Sequence, residues 1–101
     1  MTRLDEALAE LAALGRTISY GDLARQLQLV PLSRLTGALE AMMDTDAAAR
    51  KPLRAALCRA KGSGDLPAPG FFLKALELGF DVADPVGFVA LQRAGLFKRG
   101  K

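Results

Sequence analysis

Ile18-Ser19-Tyr20-Gly21-Asp22-Leu23-Ala24-Arg25-Gln26-Leu27 opens a helix firmly, and Val30-Pro31 stops it a few residues later. Ser19 precedes Asp22 by three residues, the spacing of a capping box in which a hydroxyl and a carboxylate serve amides that the first helical turn leaves unpaired. Ile18 before the cap and Leu23 after it have the spacing of a hydrophobic staple. Leu23, Ala24 and Leu27 form one apolar side and Asp22, Arg25 and Gln26 a polar one, which predicts a helix over Tyr20–Gln28. Pro31 biases Val30 away from helical geometry, so a turn follows. Ser33 is then placed to cap a third helix running to about Ala49, with Leu35, Leu39, Met42 and Met43 as its apolar stripe. Gly37 and Ala38 would let that helix approach the second one closely. Two short helices joined by a tight turn are the framework to which the rest of the chain must fit.

Before this unit, Leu4, Leu8, Leu11 and Ala12 recur at helical spacing from Thr2 to Leu14, Thr2 and Asp5 repeat the capping arrangement, and Gly15 supplies a stop. Arg16-Thr17-Ile18 reads as a short extended link. After Arg50-Lys51-Pro52, the alternation of Leu53, Ala55 and Leu57 with Arg54, Ala56 and Cys58 predicts a half-exposed strand. Lys61 to Gly70 has the composition of a loop, read here as the tip of a hairpin or wing whose return strand is reduced to a few residues around Gly70-Phe71. Phe71–Leu78 reads as a compact helix closed by Gly79, with Phe72, Leu76 and Leu73 toward the core. Asp84-Pro85 caps a last helix to Phe97, which places Val86, Val89, Ala90 and Phe97 on one side, and Lys98-Arg99-Gly100-Lys101 is a fraying basic tail.

The expected architecture is mainly α with a small β-hairpin. One domain is expected, with its core over 2–79, a C-terminal helix over 84–97 and a tail over 98–101. A hydrophobic fraction of 50% with 25% charged residues in 101 residues suits a globular chain, and the low aromatic content of 6% leaves the core to Leu, Ala, Val and Met. The formal charge of +3 permits contact with polyanions without requiring it. One cysteine, no apolar leader and no long apolar run predict a cytoplasmic protein with no membrane partner.

The order helix, link, helix, turn, helix, strand, loop, strand, helix resembles a winged helix-turn-helix domain with one or two extra C-terminal helices. Gly15-Arg16-Thr17-Ile18-Ser19-Tyr20-Gly21-Asp22-Leu23-Ala24 is also similar to the segment that begins the helix-turn-helix in the DNA-binding half of alkylguanine-DNA alkyltransferases and alkyltransferase-like proteins. The similarity is close over about ten residues and looser to about residue 79. It implies fold more directly than activity, because those enzymes hold their acceptor in a Pro-Cys-His-Arg motif where His generates the thiolate. The nearest match here, Ala56-Leu57-Cys58-Arg59, lacks Pro and His, and the chain has no His at all. Cys58 is therefore read as a small apolar residue, and no catalysis is expected.

No metal site or cofactor is expected either, since a lone Cys without His supplies no ligand set and Gly62-Ser63-Gly64 lacks the Lys and following helix of a phosphate loop. The winged-helix resemblance implies that the third helix enters a DNA groove, which makes Ser33, Arg34 and Thr36 candidate base contacts. Glu40, Asp44 and Asp46 on the same helix oppose phosphate. Arg50, Lys51, Arg54, Arg59 and Lys61 form the main basic run, with no acid between Asp46 and Asp65. On a strand Arg54 and Arg59 would point to opposite faces, so the five do not share one patch. Tyr20 is a candidate for base stacking or phosphate contact, with packing against the wing as its structural role. Two functions follow as expectations: a small bacterial protein that binds duplex DNA, or an adaptor whose apolar third helix contacts another protein or a second copy of the chain.

Overall fold

The computed structural model describes the backbone of residues 2–100 and the side chains of 3–98. Its helices are α1 (Thr2–Leu14), α2 (Tyr20–Leu27), α3 (Leu32–Ala48), α4 (Pro69–Glu77) and α5 (Pro85–Gly100). The first three follow the apolar periodicity. In α1, Leu4, Ala7, Leu8 and Ala12 are buried and Leu11 packs beside them. Gly15 ends the helix at φ 67°, with its N–H donated to Ala12 and that of Arg16 to Leu11. The proposed Thr2 cap involves a side chain outside the described residues.

At the start of α2 the Ser19 hydroxyl accepts the Asp22 N–H at 3.1 Å, so half of the capping box forms. The Asp22 carboxylate pairs with Arg25 instead of reaching back. Leu23 and Ala24 are buried, Leu27 packs partly against the core, and Gln28 closes the helix in the left-handed region at φ 57°.

Helix α3 begins two residues earlier than a Ser33 cap would place it. Pro31, extended at φ −73° and ψ 172°, occupies the cap position, and its carbonyl accepts the Arg34 N–H at 2.9 Å. Ser33 thus lies within the first turn and caps nothing. Proline's fixed φ already sets the entry geometry that a hydroxyl cap would otherwise secure. Leu35, Leu39, Met42 and Met43 are buried as expected, whereas Gly37 is exposed, and a Cβ added there would meet nothing within 4 Å.

The predicted strand over Leu53–Cys58 is not formed. Arg54–Leu57 is a turn of 3-10 helix, and only Cys58–Arg59 is extended. These two residues pair in parallel with Ile18–Ser19, Ile18 opposite Cys58 and Ser19 opposite Arg59. Hence there is a two-stranded parallel sheet in place of a hairpin, and no return strand near Gly70-Phe71. In this sheet Ile18–Ser19 is β1 and Cys58–Arg59 is β2. The loop after β2 closes on itself: Ala60 donates to the Leu66 carbonyl at 2.8 Å, and Ser63 Oγ accepts the Leu66 N–H at 3.1 Å.

Leu53, Ala55, Ala56, Leu57 and Cys58 are all at most 3% exposed, so this segment runs through the centre of the molecule. It packs against α1, α3 and α5. Its polar backbone needs partners there. Gln92 Oε1 accepts the Leu53 N–H at 2.9 Å, and Arg93 Nε donates to the Ala56 carbonyl at 2.8 Å.

The inward faces of α4 and α5 also differ from expectation. In α4, Phe71 and Ala75 are buried and Phe72 is half-buried, while Leu73 and Leu76 are exposed. Pro69 takes the first helical position, which advances the helix by two residues. In α5, Phe88, Val89 and Leu96 are buried, Phe97 is half-buried, and Val86 and Ala90 face outward. The Asp84 carboxylate caps α5 by accepting the Gly87 N–H at 3.2 Å. The helix continues past Phe97 to Gly100, and the remainder of the basic tail lies outside the described residues.

Candidate nucleic-acid interface

The turn between α2 and α3 brings the N-terminal residues of both helices to one side of the molecule. Ser19, Tyr20, Gly21, Asp22 and Arg25 from the start of α2, Leu32 from the start of α3, and Arg59, Lys61, Gly62 and Asp65 from β2 and its loop line a groove of about 760 Å³. Ser33 and Arg34 are exposed on the turn of α3 that adjoins Leu32, and Thr36 is half-buried. The Thr36 hydroxyl donates to the Ser33 carbonyl at 3.2 Å.

Within the groove, Arg59 is held rather than free. Its Nη1 donates to Thr17 Oγ1 at 3.0 Å, and Thr17 Oγ1 donates to Asp65 Oδ1 at 3.1 Å. Asp65 is neutralised in turn by Arg93, through Nη1 to its carboxylate at 3.1 Å and Nη2 to its carbonyl at 2.7 Å. The groove's other acid, Asp22, is paired with Arg25. Lys61 is exposed on the rim, and neither it nor Arg34 has an ion-pair partner among the described residues. Each acid in the groove therefore has a cation, and Lys61 and Arg59 remain to meet an incoming anion.

Arg54 does not contribute to this surface. Its guanidinium grips the buried Asp46, with Nη2 to Oδ1 at 2.9 Å and Nε to both oxygens at 3.0 Å, while its backbone N–H donates to Asp46 Oδ2 at 3.0 Å. Nη1 also reaches Asp5 at 3.4 Å. A buried carboxylate requires this pairing because removal from water disfavours its charge. Asp46, expected to oppose phosphate, is 2% exposed and its charge is internally matched.

Arg50 and Lys51 line a second cleft, with Lys98, Phe80 and Leu91, between the end of α3 and α5. The five central cations thus separate into a groove pair, a structural arginine and a cleft pair.

Tyr20 has a packing role. Its hydroxyl accepts the Ala68 N–H at 3.0 Å, tying the start of α2 to the start of α4, and burial pushes the phenol up to about 12. Cys58 is fully buried in β2, and burial raises its thiol to about 12, so at neutral pH it is a protonated core group. Thr17, Asp65 and Arg93, which orient Arg59, are absent from the candidate residues read from sequence. Arg93 lies 28 residues from Asp65, and no local spacing signals such a contact.

The exposed residues of α3 are Leu32, Ser33, Arg34, Gly37, Glu40, Ala41, Asp44, Thr45 and Ala48. Leu32 is the one large apolar side chain among them, and Asp44 is paired with Lys74 at 2.9 Å. The other large exposed apolar side chains of the described residues are Leu14 at the end of α1, Val30 in the turn before α3, and residues of α4 and α5. Among the described residues no group of His, Cys, Asp and Glu is arranged to hold a metal, and no helix is long and apolar enough to cross a membrane. No family profile, curated protein or solved structure matches this chain.

Proposed function

We propose that the protein is a small non-catalytic binder of duplex DNA with a winged-helix-like arrangement. In this reading, α2 and α3 form a helix-turn-helix in which Ser33 and Arg34 at the start of α3 meet base edges, with Thr36 behind them, while Arg59 and Lys61 hold a flanking phosphate. The supporting observation is that the first residue of α3 lines the same groove as Arg59 and Lys61, whose acidic neighbours are already paired. The similarity of Gly15–Ala24 to the DNA-binding half of alkyltransferases supports the same orientation. The loop after β2 takes the place of an antiparallel wing.

The test is fluorescence-anisotropy titration of a mixed-sequence duplex over a salt series. Binding is expected to weaken with salt. Arg59→Gln/Lys61→Gln is expected to lower the slope of log affinity against log salt by about two, since each side chain that no longer neutralises a phosphate releases about one counterion fewer. Arg50→Gln/Lys51→Gln is expected to leave it unchanged. Absence of binding at low salt, or equal losses in both double variants, would overturn the reading.

A further inference from the structure

Helix α5 leaves Leu91 74% exposed on its solvent side with exposed Ala90 and Ala94 beside it, while Val86, 62% exposed, lies about 140° around the helix from Leu91. The charges at its two ends are opposite. Asp81 and Asp84 lie at the N-terminal end, beside Leu91 in one shallow depression. Lys98, with Arg50 and Lys51 next to it, lies at the C-terminal end in the cleft on the other side of Leu91. None of these five has an ion-pair partner among the described residues. Asp84 and Lys98 each stand seven residues from Leu91, and Gly87 and Gly95 each stand four residues from it.

A surface with this pattern complements itself when a second copy is laid across it antiparallel. We propose that the chain forms a twofold dimer through α5, with Leu91 on the dyad against Leu91 of the other copy. Each Asp84 then faces Lys98 of the other copy, and Ala90 and Ala94 let the helix axes approach. Such an isologous contact uses one patch on both partners, so each favourable pair occurs twice. Charge fixes the orientation: a parallel pairing would set like charges together at both ends. The 16 residues of α5 give a seam about 24 Å long, at the small end of specific interfaces, so association is expected at micromolar protein.

Sedimentation equilibrium from micromolar to near-millimolar chain should show a monomer–dimer equilibrium, weakened at least tenfold by Leu91→Lys with the circular-dichroism spectrum unchanged. Leu91→Cys should oxidise to a covalent dimer under air with a copper–phenanthroline catalyst much faster than the exposed control Ala48→Cys; native Cys58 is buried and contributes no background. Asp84→Lys and Lys98→Asp should each weaken association, and an equimolar mixture of the two should restore it, because both end contacts of the mixed dimer are again opposite in sign. A wild-type chain that stays monomeric over the whole range, or Leu91→Cys crosslinking no faster than the control, would overturn the proposal. So would dimerisation of the mixture no stronger than that of either charge variant alone.

Discussion

Cys58 shows how a single side chain records the depth of its surroundings. Its thiol titrates at about 12 in the folded chain, against an ordinary value of 9.0, because burial penalises the thiolate. Between those values the folded protein holds a proton that the unfolded chain releases, so the sign is fixed: stability is full below about pH 9 and falls as pH rises toward 12. Tyr20, raised from 10.0 to about 12 by burial, adds a second decline beginning one unit higher. Thermal melts between about pH 8 and 11 are expected to fall from near pH 9 in the natural chain and from near pH 10 in Cys58→Ala, whatever packing that substitution costs at neutral pH. An unchanged onset in the variant would assign the early decline to other groups. Asp46, also in the interior, is met by both the guanidinium and the backbone N–H of Arg54 at one carboxylate.

Two glycines in two helices separate what a helix needs from what its neighbours need. A Cβ at Gly95 of α5 would lie 2.9 Å from Pro52 Cγ, whereas one at Gly37 of α3 would meet nothing within 4 Å. Gly95→Ala is therefore expected to lower stability by about 1–3 kcal/mol through overpacking. Gly37→Ala is expected to raise it by about 1 kcal/mol through helix propensity. Urea unfolding of both variants measures the pair, and stabilisation by Gly95→Ala would show that α5 has room to move off Pro52. Helices α1, α2 and α3 are legible in the sequence because their polar and apolar residues segregate cleanly. In α4, by contrast, Phe71, Phe72, Leu73, Ala75 and Leu76 are apolar on nearly every side, and periodicity alone cannot choose which of them is buried. The same ambiguity hid the outward face of α5, where Val86 and Ala90 looked like core residues.

The Leu53–Cys58 segment misled for a reason that involves the entire fold. Ala56 and Cys58 count as weakly polar positions in an alternation only if one side meets water, and here α1, α3 and α5 enclose both sides. Which segment lies at the centre depends on contacts between distant parts of the chain, which local spacing does not carry. The candidate groove was legible in part: Tyr20, Arg59 and Lys61 line it together, with Leu32 as the contribution of α3, while the separation of Arg54, Arg50 and Lys51 from them follows from that central path. The resulting body has a radius of gyration of 12.3 Å, close to the roughly 13 Å of a compact chain of 100 residues.

The clasp on this path also sets a timetable for synthesis. Leu53 and Ala56 leave the ribosome well before Gln92 and Arg93, the side chains that satisfy their backbone groups. A chain ending at Asp84 is expected to lack fixed tertiary structure, seen as collapsed methyl dispersion in its proton NMR spectrum, whereas native dispersion would show that α5 is dispensable. Folding is then completed only after α5 has been synthesised, and the apolar middle of the nascent chain stays open to chaperones and proteases until that helix has been made.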